Sequence, residues 1–487
     1  MTFDELAGLV SSTQGLTVRV DSRLVEPGDV FVAVKGTTSD GHDFIADALA
    51  RGAGYVVCQN HRELPQPPAQ ACEFVIVEDS ARAAALLAQA THGNPASKLT
   101  NLAVTGTNGK TTVAFLVRSV IQAAGDKCGL IGTVIYDTGS GTRQADLTTP
   151  DCSDIAELQS QMVDAGLRHM VIEASSHALS QSRLAGIDFR AAAFTNLSGD
   201  HLDYHGTKEN YLSAKATLFR QLSCDAVAVL NRQSPEAEHI ARQTRAQVLW
   251  YAVDAEADLT SRTESVDMTG AVFSLTYAGR SAMVKTPLLG RYNVSNHLAA
   301  AGLCIAAGLD LETIACGLKS LKAIPGRLEK VDCPAGCAGQ GRHVIIDYAH
   351  TDDALSNVLS MLKPLCKAKL MVVFGCGGDR DRTKRPRMAR VAENLADIVV
   401  VTSDNPRTEK PEKIIDEIAT GFQNPDAKRI IIEPDRRKAI ELAIRSASQE
   451  DIVVIAGKGH EMYQIIGTQR IHFNDKEVAQ QCLQQLS

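Results

Sequence analysis

Short apolar runs alternate with stretches of helical period along the whole chain. Near the N-terminus VFVAV, YVVC and FVIV are interleaved with helical patterns such as ARAAALLAQA, and the turn-rich break HGNPASK follows. The pattern resumes with LAVT, CGLIGTV, HMVIEAS and AAAFTNL, each separated from the next by a helical segment. That rhythm predicts parallel strands joined by crossover helices. It breaks at Pro325 and Gly326, then restarts with HVIID, LMVVFG, DIVVVTS and DIVVIAG. The breaks divide the chain into 1–96, 97–325 and 326–487. They predict three α/β domains, each with a largely parallel or mixed sheet flanked by helices, the last of them Rossmann-like.

The four C-terminal runs carry a second message. Each is followed at once by a polar or glycine-rich loop: DYAHTDD, GCGGDRD, DNPRTEK and GKGHE. In an open parallel sheet ligands bind just beyond the carboxyl ends of the strands, so these four loops are expected to line one crevice.

Composition narrows the class. A length of 487 residues suits three domains, and a net charge of −7 argues against a nucleic-acid or membrane-surface partner. No apolar run approaches the roughly 20 residues that span a bilayer. The opening MTFDELAGLV is acidic and lacks the basic region of a secretion signal. The twelve cysteines are scattered, with Cys333 and Cys337 the closest pair, and are expected to be reduced thiols of a cytoplasmic protein without membrane insertion. A monomer is expected. The basic run RDRTKRPR follows a glycine loop in an acidic chain, and reads as a solvated helix start containing one ligand-binding arginine, Arg380.

The sharpest chemical signal is TGTNGKTT, residues 105–112, between the strand LAVT and a helix starting near Thr111. Small residues let backbone N–H groups approach phosphate oxygens, and the helix N-terminus adds partial positive charge. Lys110 would reach the terminal phosphates and the Thr111 hydroxyl would ligate Mg²⁺. The general nucleotide-loop pattern is G-x-x-x-x-G-K-S/T, and here Val104 stands at its first glycine.

TGTNGKTT resembles the phosphate loop of the Mur ligase family, which also includes folylpolyglutamate synthetases and in which a threonine-glycine opening replaces the first glycine. The resemblance runs over essentially the whole chain. It implies a central P-loop ATPase domain binding ATP through Thr105, Gly106, Thr107, Asn108, Gly109, Lys110, Thr111 and Thr112. From YNVSNHLAA, GRLE and DYAHT it adds Asn296, Arg327, Asp347 and His350 to the ATP site. It implies catalytic roles for Lys110, Glu173, His201 and Lys215, with Mg²⁺ held by Thr111, Glu173, His201 and a carbamylated Lys215. A carbamate turns a long cationic side chain into an oxygen ligand, which suits hard Mg²⁺. His205, in the same DHLDYHGT run, reads as structural.

The N-terminal stretch VDSRLVEPGDVFVAVKGTTSDGHDFIADA resembles the uridine-nucleotide domain of family members that act on UDP-linked muramyl peptides. The resemblance gives Val20, Ser22, Thr37, Thr38 and Ser39 to the UDP part. It gives Leu147, Thr148, Thr149, Ser175, Gln181 and Arg183 to the muramyl dipeptide.

DNPR decides the amino acid. A substrate with a free carboxylate at its far end needs a guanidinium fork. Arg407 and Arg380, on neighbouring loops, can supply one, and Glu461 can accept hydrogen bonds from an ammonium. Meso-diaminopimelate carries both groups at its distal centre, whereas lysine lacks the carboxylate. DNPR also matches the diaminopimelate-adding members, which places Asp404, Asn405, Pro406, Arg407, Arg380, Gly457 and Glu461 at that substrate. The expected reaction is ATP-dependent amide formation between meso-diaminopimelate and UDP-N-acetylmuramoyl-L-alanyl-D-glutamate through an acyl phosphate, in peptidoglycan synthesis. Three alternatives stay open: a lysine-adding ligase, a folylpolyglutamate synthetase, and a non-catalytic sensor of muramyl peptides and ATP.

Overall fold

A computed structural model describes residues 1–13, 15–36, 39–59, 72–199, 201–332, 341–424 and 427–486. Thr37, Thr38, Cys333 and Cys337 lie outside the described residues, and the ten described cysteines are all free. Among the described residues no helix is long and apolar enough to cross a membrane.

Three main sheets follow one another along the chain. The first has four parallel strands in sequence order, Val18–Arg19, Val30–Val32, Tyr55–Gln59 and Glu73–Val77. Its inner strand Val30–Val32 is buried throughout, because helices cover both faces; an all-apolar run is the pattern that situation requires.

The second sheet has eleven strands. Its middle is parallel, with Thr100–Thr105 between His169–Glu173 and Phe189–Phe194. Both faces are packed, one of them against helices Lys110–Ala123 and Arg291–Ala306. The far edge, Leu259–Asp267, Gly270–Tyr277 and Arg280–Thr286, is an antiparallel meander that the strand-helix rhythm did not predict. Its strands face water on one side, so their hydrophobic signal is an alternation and not a run.

In the third sheet the four expected strands are adjacent and parallel, ordered His343–Asp347, Ile452–Ala456, Leu370–Phe374 and Ile398–Val401. Ile430–Ile432 extends one edge, Glu329–Lys330 pairs antiparallel at the other, and a separate hairpin, Tyr463–Ile466 with Gln469–His472, follows. Gly326 lies at the junction. Its φ is +65°, and a side chain there would collide with the backbone of Gly459 and His460.

Candidate functional site

The phosphate loop leaves the carboxyl end of Thr100–Thr105, the centre of the second sheet. Register explains what surrounds it. Val104 is paired with Glu173 on one side, and Thr105 with Phe194 on the other. Glu173, the last residue of its strand, and the loop Thr195–Ser198 are therefore delivered to the same point. Helix Lys110–Ala123 begins directly at Gly109, whose φ of +92° and contact with the Asn296 amide leave no room for a side chain.

The loop is braced from the Phe194 side. Thr107 N–H donates to Asn196 O at 2.9 Å, Asn108 N–H to Asn196 Oδ1 at 3.0 Å, and Thr195 Oγ1 to Asn108 O at 2.6 Å. Lys110 Nζ folds back on Gly106 O and Thr107 O, both at 2.9 Å. Lys215 Nζ reaches Gly106 O as well, at 2.8 Å, from a side chain only 1 % exposed and 4.4 Å above the Tyr211 ring. Two lysines thus converge on one carbonyl. Thr105 lies beneath the loop, its hydroxyl donated to Ala174 O at 2.7 Å.

Glu173 is fully buried, and its carboxylate accepts from Thr111 Oγ1 at 3.0 Å, Thr133 Oγ1 at 2.9 Å and Thr133 N–H at 2.9 Å. His201 stands on the rim with a left-handed backbone, φ +55°, and its ring is 4.9 Å from that of His177. His205 is buried and meets Ser176 Oγ at 2.9 Å, in keeping with a structural residue. Among the described residues no three His, Cys, Asp or Glu side chains gather into a ready-made metal cage. Mg²⁺, however, binds through one or two protein oxygens, waters and nucleotide phosphates, and Thr111 beside Glu173 provides such a hard oxygen pair.

The phosphate loop, Thr133, Glu173 and His201 line a cleft of about 610 Å³ between the second and third sheets. Opposite the loop stand Arg327, Asp347, His350 and Asp353. Arg327 Nη2 lies 3.4 Å from Thr111 Oγ1 and its guanidinium stacks 4.8 Å from the Tyr348 ring, while its buried Nε has no hydrogen-bond partner among the described residues. An orphaned guanidinium nitrogen facing a lysine-bearing loop fits a polyanion. Asp347 caps the amides of Leu328 and Ala349, both at 2.8 Å, and burial raises its pKa against the pull of Arg327 and those amides. His350 Nδ1 is held on Tyr348 O at 2.8 Å. Burial pushes the nearby His460 down to about 4, and Arg327 reinforces the effect.

The residues expected at the muramyl dipeptide form a second cluster. Thr148 and Thr133 hydroxyls meet at 3.1 Å, Thr149 Oγ1 lies 3.1 Å from Ser175 Oγ, and Arg183 bonds Thr149 O at 2.9 Å and Gln181 Oε1 at 2.7 Å. The exposed Leu147 flanks them, its backbone held on Tyr136 Oη. Val20 and Ser39 are exposed and Ser22 buried on the first α/β unit, away from these side chains in the hydrogen-bond network of the described residues.

The four C-terminal loops meet beyond the carboxyl ends of their strands: Gly459 of GKGHE abuts Tyr348 of DYAHTDD, and Gly375 abuts Thr402 and Asp404. DYAHTDD faces the phosphate loop, while the other three gather beside it. Gly377 lies against both Arg407 Nη1 and Arg380 Cγ, so the two arginines share one small surface. Arg380 is exposed and Arg407, at φ +53°, is half-buried with Nη1 on Gly378 O at 2.7 Å. The Pro406 carbonyl approaches Gly378, and Gly457 abuts Asp404 Oδ2. Asn405 is only 3 % exposed, and its amide is taken up inside the protein by Glu461 Oε2 at 2.8 Å, Ile465 N–H at 3.0 Å and Lys458 Nζ at 3.1 Å.

Sequence reasoning passed over Asn196, Asp353 and Lys458. Asn196 lies in the run AAAFTNL, Asp353 stands in the first helical turn after DYAHT, and Lys458 is the lysine of GKGHE itself. A fully buried side chain leaves no local signal that separates it from a surface lysine.

The chain matches three descriptions of one family: Mur ligase family, catalytic domain, over residues 17–92; Mur ligase middle domain over 104–304; and Mur ligase, glutamate ligase domain, over 326–459. The UDP-N-acetylmuramoyl-L-alanyl-D-glutamate–2,6-diaminopimelate ligase of Geobacillus kaustophilus (strain HTA426) is 43% identical over 470 residues, covering 95% of this chain and 94% of the relative. The enzyme of the same name from Gloeobacter violaceus (strain ATCC 29082 / PCC 7421) is 45% identical over 465 residues, covering 95% and 92%. A solved structure of a ligase with that name superposes with a TM-score of 0.66 at 35% identity, over 96% of this chain and 94% of the other. With such relatives along nearly its whole length, the chain belongs to the Mur ligase family.

Proposed function

We propose that this protein is an ATP-dependent ligase that joins meso-diaminopimelate to UDP-N-acetylmuramoyl-L-alanyl-D-glutamate in peptidoglycan precursor synthesis. The names of its relatives support the reading, and one observation in the site carries it: Arg407 and Arg380 meet on Gly377 next to the Glu461 loop. A zwitterionic distal centre needs that combination of cations and a carboxylate. The three sequence regions take three roles: 1–96 and part of the centre hold the nucleotide-linked dipeptide, 97–325 binds ATP, and 326–487 binds the amino acid.

ATP lies with its phosphates on residues 106–112 and is covered by Arg327 and His350. Lys110 leaves Gly106 O and Thr107 O to meet the terminal phosphates. Thr111 and Glu173, with His201 and a carbamylated Lys215, would hold Mg²⁺. When bound, the ion screens phosphate charge and acts as a Lewis acid. The D-glutamate carboxylate attacks the γ-phosphorus, the bond to ADP breaks, and an acyl phosphate forms. The amine of diaminopimelate then attacks the acyl carbon; phosphate leaves as the amide bond forms and the amine loses its proton. Lys110 and Arg327 offset the negative charge that gathers on the transferred group. The phosphate loop and the arginine pair sit on different sheets, so their juxtaposition depends on how the C-terminal unit docks.

Phosphate release should be measured with purified protein, ATP, the UDP-linked dipeptide and a panel of amino acids. Release with diaminopimelate, exceeding that with lysine by at least about 100-fold, is expected from one desolvated charge pair. Preference for lysine would overturn the acceptor assignment, and binding without phosphate release would make the protein a sensor.

A further inference from the structure

Three carboxylates line the cleft, and two are held by their own surroundings: Glu173 by Thr111 and Thr133, Asp347 by the amides of Leu328 and Ala349. Asp353 is different. It lies in the first turn of helix Asp352–Leu362 on the C-terminal unit, yet its Oδ2 accepts from Ser198 Oγ at 2.8 Å and from Asn108 Nδ2 at 3.3 Å. Both donors belong to the second sheet, 155 and 245 residues away in sequence. Asn108 is a residue of the phosphate loop itself. A third bond, from Asn357 Nδ2 at 3.2 Å one helical turn on, fixes the carboxylate rotamer from behind.

We propose that Asp353 is a positioning residue that docks the C-terminal unit onto the phosphate loop. The inference rests on the ligase reading and deepens it, since the arginine pair comes to the loop only when that unit is docked. Hydrogen bonds to an ionised acceptor are stronger than neutral ones, so one carboxylate accepting two donors from the opposite unit biases the docked arrangement. Shape supports the assignment. Asp353 is a short side chain at a helix start, and the backbone of two units must already be close for it to span them.

The roles of a dock, a nucleotide ligand and a mere fold-stabilising contact are separable. Small-angle scattering on the nucleotide-free full-length protein should show a larger radius of gyration for Asp353→Ala than for wild type. With saturating substrates its kcat should fall about tenfold, as expected for the loss of a charge-assisted contact, while the KM for the UDP-linked dipeptide stays unchanged. Asp353→Asn keeps an acceptor oxygen but loses the charge, and should fall between wild type and Asp353→Ala in both radius and kcat. Ser198→Ala removes a donor from the other side and should open the protein partway, which keeps the test valid if Asp353→Ala folds poorly. Scattering curves for Asp353→Ala and Ser198→Ala that superpose on wild type would overturn the proposal. So would a compact Asp353→Ala whose only change is a raised KM for ATP, since that marks a nucleotide ligand. The scattering result is independent of which amino acid is added, so failure of the acceptor assignment leaves it standing.

Discussion

Lys458 Nζ lies 3.0 Å from Glu461 Oε2, with the lysine side chain fully buried. The same ammonium donates to Asn405 Oδ1 at 3.1 Å and Tyr463 O at 2.5 Å. It thus ties the DNPR loop, the GKGHE loop and the hairpin at Tyr463–Ile466 into one wall. On the proposed reading, this arrangement holds Glu461 in place to meet a substrate ammonium. In Lys458→Met the KM for diaminopimelate should rise at least about tenfold, the worth of one charge-assisted bond, with the KM for ATP unchanged. Equal changes in both constants would show a general loss of structure.

On the proposed reading, the arginine pair sets acceptor choice. Replacing Arg380 and Arg407 together by Gln should lower kcat/KM for diaminopimelate by about 100-fold or more, from the loss of a charged fork. Activity with lysine should change much less, so the ratio of the two collapses. A ratio equal to that of wild type would end the fork reading.

Lys215 tests the site beneath the loop. Its side chain is 1 % exposed and donates to Gly106 O at 2.8 Å, so whatever form it takes acts from inside the site. On the proposed reading, carbamylation would exchange this ammonium for an oxygen ligand. Lys215→Ala is expected to lose about 100-fold or more in kcat, as when a charge-stabilising group is removed from an active site, while equilibrium dialysis still detects bound ATP. Full synthesis by this variant would exclude the carbamate role.

Gly109 is a conformational requirement. Its φ of +92° is unfavourable for any side chain, and a Cβ would press into the Asn296 amide. Gly109→Ala should reduce stability by about 1–3 kcal/mol, the usual cost of a strained left-handed residue, and weaken ATP binding by displacing Asn296. Thermal unfolding with and without ATP measures both effects.

His297 makes the protein acid-sensitive. It is fully buried, its Nδ1 lies 2.6 Å from Asn293 O, and burial lowers its pKa from 6.5 to about 4. The unfolded chain takes up a proton between those values and the folded chain does not. Stability from this group is therefore complete above pH 6.5 and declines as pH falls toward 4, by roughly 3 kcal/mol in all. Urea unfolding from pH 7.5 down to 4.5 should show the decline, and His297→Gln should flatten it. An equally steep curve for the variant would assign the loss to other groups.

Much of the architecture was legible in the chain itself. A parallel strand buried on both faces must be an unbroken apolar run, so HVIID, LMVVFG, DIVVVTS and DIVVIAG could be read as neighbours, and their trailing loops as ligand-binding. TGTNGKTT announced its own chemistry because a phosphate loop is built from contiguous residues. The meander from Leu259 to Thr286 was missed because its half-exposed strands carry only an alternating signal.

Sequence by itself therefore determined the strand-helix order of the parallel regions and the phosphate loop. Tertiary structure alone decided which distant side chains meet. Register set Glu173 beside the loop, and docking brought Asp353 to Asn108. Burial also ties Asn405 into an internal brace with Lys458 and Glu461. The reason is physical: local pattern records how each segment solves its own backbone and burial, whereas hydrogen bonds between segments hundreds of residues apart depend on packing that no short stretch encodes.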